Sequence, residues 1–268
     1  MTGQFVFAAN CSLLFSEVPL LQRPAAARSA GFEAIEFWWP WPDQPVPADR
    51  EIDAFLAAVR DAGVHLVGLN FFAGDLAGPD CGVLSIPARS SQFRDNIAVT
   101  IGIGDALDVR AHNALYGNRV TDATPDQQDE LAYENLTLAA EAAAINDAVV
   151  LLEPVSGPKP YPLRTADDVI AVLDRLALDN VGFCFDLFHL VNNGDDIDAA
   201  LTAYAPRIAH VQIADHPGRG EPGSGGLDLD RYLNIIAAGG YDGYVACEYQ
   251  PTTNTNDSLE WLRRRGAI

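Results

Sequence analysis

Val149-Val150-Leu151-Leu152-Glu153-Pro154 runs four aliphatic residues straight into a carboxylate and then a proline. A run that is apolar on both alternations suits a parallel strand covered on both faces, and Pro154 cannot donate to a continuing ladder. Glu153 is therefore expected at the strand's C-terminal tip. Three later stretches repeat the design: Val181-Gly182-Phe183-Cys184-Phe185-Asp186, Ile208-Ala209-His210-Val211-Gln212 and Tyr244-Val245-Ala246-Cys247-Glu248. Any one strand must end on something polar. Four in succession, with helical sequence between them, point to a built site.

Working back toward the N-terminus, strand-like runs cover residues 5–9, ending at Asn10, then 34–37, 65–69, ending at Asn70, and 109–115. Helical spacing covers 19–30, 50–62, 90–107 and 125–145, with Gly31 and Gly63 as stops and Pro125 in a first turn. A further helix starts at Thr165, with Asp167 and Asp168 favouring its dipole, and others lie near 197–203, 228–238 and 254–264. Eight strand–helix alternations without a composition break imply parallel strands joined by crossovers, and eight close better into a ring than into an open sheet. The expected fold is α/β, a single (β/α)8 TIM barrel forming one domain over 1–268, a length close to the roughly 250 residues typical of such barrels. Residues 71–89, rich in Gly and Pro, form the insertion where barrels place substrate loops. Gly102-Ile103-Gly104 lies inside a helical stretch and lacks the rest of a dinucleotide fingerprint.

Thirty-seven acidic against seventeen basic side chains give a formal charge of −20, a surface that repels a phosphate backbone, so no nucleic acid is expected as partner. Cys11, Cys81, Cys184 and Cys247 show no metal or disulfide spacing and read as small buried hydrophobes in a reducing compartment. The N-terminus lacks a basic region followed by an apolar one, and no apolar run reaches membrane-spanning length, so the expected location is cytoplasmic, with no membrane partner. Trp38-Trp39-Pro40-Trp41-Pro42 reads as a hydrophobic lid, a subunit contact in a homo-oligomer, or local packing.

In such barrels the working residues stand at the C-terminal ends of the strands. Glu153, Asp186, Gln212 and Glu248 would then converge, and three carboxylates with one amide oxygen form a hard donor set suited to Mg²⁺ or Mn²⁺. Without a cation, three clustered carboxylates would repel one another. His189, three residues after Asp186, overhangs the same site or is merely structural; His210 points the same way as Gln212 but deeper, and His65 and His112 read as structural.

These residues carry a family resemblance. Glu153-Pro154, Phe185-Asp186-Leu187-Phe188-His189, His210-Val211-Gln212-Ile213-Ala214-Asp215, Arg219-Gly220-Glu221-Pro222-Gly223-Ser224-Gly225 and Cys247-Glu248-Tyr249 resemble hydroxypyruvate isomerases of the xylose-isomerase-like barrel superfamily. Ala9-Asn10-Cys11-Ser12-Leu13-Leu14-Phe15 and residues 70–75 do so too. The resemblance implies a divalent-metal-dependent intramolecular oxidoreductase that interconverts hydroxypyruvate and tartronate semialdehyde. It implies Glu153 and Glu248 as the proton-transfer pair, Glu153, Asp186, Gln212 and Glu248 as metal ligands, and His189, with Asn70, on a small hydroxy- or oxo-acid substrate. Ketose 3-epimerases of the superfamily usually present a histidine where this chain has Gln212. The chain departs from the isomerase pattern at Val155-Ser156-Gly157-Pro158-Lys159 and at Gly68-Leu69, both substrate-facing.

A carboxylate substrate needs a cation. Arg219 is the expected one, in its matching segment, with Lys159 and Arg119 read as solvated loop charges; the Gly-rich tract 218–226 reads as a mobile cover. The alternatives are a 2-oxo-tetronate isomerase or ketose 3-epimerase, a metal-dependent phosphodiesterase, which the charge opposes, and a non-catalytic binding protein.

Overall fold

The computed structural model describes residues 5–268; the first four residues of the expected domain, and of the N-terminal reading, lie outside them. Eight parallel strands run in the order β3-β2-β1-β8-β7-β6-β5-β4: β1 (Phe7–Asn10), β2 (Ala34–Phe37), β3 (His65–Leu69), β4 (Ala111–Asn113), β5 (Val149–Leu152), β6 (Val181–Asp186), β7 (Ile208–Ile213) and β8 (Val245–Cys247). The β3 and β4 edges meet where the Phe71 N–H donates to the Asn113 carbonyl at 2.9 Å, so the barrel is nearly closed. The (β/α)8 expectation holds.

Among the described residues, ten helices accompany the strands: α1 (Arg23–Ala30), α2 (Asp49–Ala62), α3 (Ser90–Leu107), α4 (Pro125–Ala144), α5 (Ala166–Leu176), α6 (Leu187–Asn193), α7 (Ile197–Tyr204), α8 (Leu229–Ala238), α9 (Thr255–Ser258) and α10 (Glu260–Arg265). Their boundaries follow local chemistry. Gly31 and Gly63 end α1 and α2 with left-handed backbone, and Thr124 and Thr165 cap α4 and α5, their hydroxyls accepting from the N–H groups of Gln127 and Asp168.

Besides the short helix α6, which the sequence did not announce, two elements differ from the sequence expectation. Strand β4 stops at Asn113 because the following residues pair with the 71–89 insertion instead: Tyr116 bridges Gly82, and the Ser85 N–H donates to the Tyr116 carbonyl at 2.8 Å. The expected last helix breaks at Leu259 into α9 and α10.

The register sets the site. Asn10 lies beside Glu36, and Asp186 beside Gln212, as Cα partners. Alanines Ala8, Ala34 and Ala246 fill one buried layer of β1, β2 and β8. With the two-residue period, Asn10, Glu36 and Glu248 face the interior above them. Outside the strands, Phe37 meets Phe55 of α2 edge-on at 5.3 Å between ring centroids, and Trp41 meets the same ring at 5.6 Å. Trp39 packs on Trp41 at 5.1 Å, so these two tryptophans are local packing between β2 and α2.

Candidate active site

Strand β5 carries Glu153 one residue past its end, and Asp186 is both the last residue of β6 and the N-cap of α6, its Oδ1 accepting from the His189 N–H at 2.8 Å. That short helix, unforeseen in the sequence, swings His189 over the strand tips. His189 Nδ1 accepts from the Ser156 N–H at 3.0 Å. In the neutral ring the proton therefore sits on Nε2, which lies 3.7 Å from Glu153 Oε1. Burial pushes the His189 pKa down to about 4, with the Arg219 charge adding to this and Asp186 opposing it, so the ring is neutral and its Nε2–H is a donor facing the site.

Ligand atoms of Glu153, Asp186 and His189 lie within 4.8 Å of one another, close enough to surround an ion. An Nε2–H offers a metal no lone pair, which leaves the two carboxylates as the donors of this group. Glu153 Oε2 is held by Asn113 Nδ2 at 2.5 Å. Burial first, and Asp186 second, push the Glu153 pKa up to about 8. Burial likewise raises Glu248 well above the usual carboxylate range, with Arg219 opposing and Glu153 and Asp186 adding. Such mutual repulsion among buried carboxylates is what a dication would relieve, so the residues fit a hard divalent ion.

Glu248 sits one residue past β8 and is buried. Its Oε1 accepts from Trp38 Nε1 and, at 3.2 Å, from Asn10 Nδ2; its Oε2 pairs with Arg219 Nη2 at 3.1 Å. Gln212 is aimed from below: its Nε2 donates to Glu36 Oε1 at 3.0 Å, while its Oε1 accepts from the Cys184 thiol at 3.0 Å. The amide is thereby held in one orientation, oxygen away from Glu36.

Glu36 is a functional candidate that the sequence reading passed over. It is buried and accepts from Asn10 Nδ2 at 2.8 Å, from His210 Nε2 at 2.7 Å and from Gln212. Gly68 makes room for it, since a Cβ there would stand 3.2 Å from Glu36 Oε2. The signal existed: Ala34-Ile35-Glu36-Phe37 sets a carboxylate in a short apolar strand, the same pattern as in the second half of the chain. Asn10, Trp38 and Asn113 join the site in the same way.

One cavity, about 620 Å³ including its mouth, opens over these groups; its walls include Trp38, Asn70, Glu153, His189, Arg219 and Glu248. Lys159 also lines it, whereas Arg119 is bound to Asp129 at 2.7 Å. The 215–227 loop that delivers Arg219 is tied down: Asp215 accepts from the N–H groups of His216, Gly223 and Leu227 at 2.7–3.0 Å, and the Gln250 N–H donates to the Arg219 carbonyl at 2.8 Å. Burial alone would raise Asp215; these backbone donors hold it below its ordinary value. Arg219 itself has left-handed backbone, φ 58°, between two glycines, and lies over the Phe188 ring.

Residues 24–265 match the family model described as xylose isomerase-like TIM barrel. The chain is 51% identical to a Streptomyces coelicolor protein named "Putative hydroxypyruvate isomerase", over 96% of this chain and 95% of that one. It is 31% identical to the hydroxypyruvate isomerase of Escherichia coli, over 96% of this chain and 97% of that one. Among solved structures, one described as "AP endonuclease, family 2" from Brucella melitensis superposes with a TM-score of 0.87 at 29% identity, covering 97% of this chain and 98% of the other. The match to both family model and full-length relatives places the chain in the hydroxypyruvate isomerase family of xylose isomerase-like TIM barrels.

Proposed function

We propose that this chain is a single-domain, divalent-metal-dependent isomerase of the aldose–ketose type that interconverts hydroxypyruvate and tartronate semialdehyde in the cytoplasm. The observation that carries the reading is that two buried glutamates, Glu153 and Glu248, reach one cavity from strands β5 and β8 with Asp186 and Gln212 on the strands between. The reaction takes a proton from one carbon and gives one to its neighbour, so it needs a base within reach of the first carbon and an acid within reach of the second.

Mg²⁺ or Mn²⁺ held by Glu153, Asp186, Gln212 and Glu248 would act as a Lewis acid and template for the neighbouring carbonyl and hydroxyl oxygens. One glutamate, as carboxylate, removes a proton from the CH₂OH carbon alpha to the carbonyl, leaving an ene-diolate. The hydroxyl proton passes from that carbon's oxygen to the former carbonyl oxygen, and the other glutamate, starting protonated, gives its proton to the former carbonyl carbon; such general acid–base help contributes about 10²–10⁴-fold. His189 donates from Nε2 to a substrate oxygen, Arg219 offsets charge beside Glu248, and Asn70 closes the wall. The four free, buried cysteines suit a reducing compartment.

The test is a substrate panel with the Mn²⁺-loaded enzyme: hydroxypyruvate, four-carbon 2-oxo acids and free ketoses. The highest kcat/KM is expected for hydroxypyruvate, and a clear preference for a neutral ketose would contradict the assignment. The Brucella likeness favours no nuclease reading here, because a −20 chain repels nucleic acid.

A further inference from the structure

The sequence has sixteen arginines and a single lysine, Lys159, and that lysine lines the candidate cavity. Two cations are in the cavity wall, and they differ in what they have left to offer. Arg219 is committed to Glu248 Oε2 at 3.1 Å and lies over the Phe188 ring. Among the described residues, Lys159 Nζ donates to one acceptor, the Asp80 backbone carbonyl at 2.6 Å. The Asp80 carboxylate is not its partner: it binds Arg89 at 3.0 Å. An ammonium has three N–H donors, so two remain for an anion entering the cavity.

The backbone beneath the ammonium is fixed. Pro158 and Pro160 flank Lys159, and a residue before proline is held to extended conformations. The Tyr161 N–H donates to the Lys159 carbonyl at 2.8 Å, and the Arg119 N–H to the Pro160 carbonyl at 2.8 Å. The Tyr161 hydroxyl donates to the Glu153 carbonyl at 3.1 Å, which ties the segment to the end of β5. A charge mounted this firmly loses little ordering entropy when it binds.

Resting on the functional reading above, we infer that Lys159 is the anchor for the substrate's carboxylate and sets the preference for a sugar acid over a neutral ketose. Arg219 is then left to the reacting end of the substrate. The competing role is a staple, in which the Lys159–Asp80 bond only joins the 155–164 loop to the 71–89 insertion.

The two roles separate in kinetics. With Mn²⁺-loaded enzyme, K159M is expected to raise KM for hydroxypyruvate by about 10- to 100-fold, the range of a charge-assisted hydrogen bond, with kcat moved far less, and K159R to recover part of the loss. A staple would lower kcat and the melting temperature and leave KM in place, which would overturn the inference. A second measurement needs no variant: as the only lysine, Lys159 can be followed by mass spectrometry as trinitrobenzenesulfonate modifies the wild-type protein. Hydroxypyruvate and the unreactive carboxylate tartronate should slow its modification several-fold, and dihydroxyacetone should not. Equal protection by all three, or by none, overturns the anchor. Absence of hydroxypyruvate turnover in the wild type contradicts the functional reading instead, and protection by tartronate then decides the anchor by itself.

Discussion

Glu36 collects three side-chain hydrogen bonds and can return none as a carboxylate, which makes it the hub that aims both Gln212 and Asn10, and through Asn10 reaches Glu248. In E36Q, one oxygen becomes an NH₂ that faces donors instead of accepting from them. The expected result is a loss of about 1–3 kcal/mol in urea unfolding, from the unsatisfied donors, and Mn²⁺ binding weakened about 10- to 100-fold as seen by electron paramagnetic resonance, as for other groups that orient metal ligands. Unchanged Mn²⁺ affinity would remove Glu36 from the site. At this scale the position of a side chain was legible where it closes an apolar run, as for Glu153, Asp186, Gln212 and Glu248, which the fold sets at or next to the C-terminal ends of β5 to β8. It was less so where a role depends on what a neighbouring strand supplies: Glu36 looks like an ordinary strand residue until β1 and β7 bring Asn10, His210 and Gln212 to it. Lys159, between two prolines, reads as a loop charge until the fold lays the 71–89 insertion against it.

The contact between β4 and α3 accounts for the second glycine of Gly102-Ile103-Gly104. Gly104 faces His112, and a Cβ there would stand 2.8 Å from the ring's Cε1 and Nε2, closer than real Cβ contacts come. His112 is fully buried with neither ring nitrogen hydrogen-bonded, and burial pushes its pKa down to about 4, with the Leu69 carbonyl near enough to oppose the shift but not in bonding geometry. The sign of the pH effect follows. The unfolded chain, with a histidine near 6.5, binds the proton that the folded one rejects, so stability is full above about pH 6.5 and declines as pH falls toward 4. Between pH 7 and pH 5 this amounts to about 2 kcal/mol, and His112→Leu should lose that part of the slope in urea titrations at the two pH values. An unchanged slope would refute the assignment. Elements of this kind were readable where caps and glycine stops mark ends, as at Thr165 or Gly63. Helix α6 was not, since its seven residues follow directly on a strand and owe their start to Asp186 turning from strand residue to cap.

Across the whole molecule, the ring brings β5 to β8 side by side, and closure depends on a non-local junction, the bond from Phe71 to Asn113, that no local pattern announces. The count of eight alternating units was enough to expect a barrel, because parallel strands with short crossovers have few other ways to cover both faces. Whether the ring works as proposed rests on Glu153 and Glu248 handling the two proton transfers on one substrate. The direct measurement is hydroxypyruvate turnover by the Mn²⁺-loaded enzyme in D₂O, followed by NMR, for the wild type, E153Q and E248Q. The account expects tartronate semialdehyde to form with solvent deuterium on carbon, and each variant to lose turnover by at least about 10²-fold while still binding tartronate. Turnover without carbon-bound deuterium, or variants as active as the wild type, would contradict it.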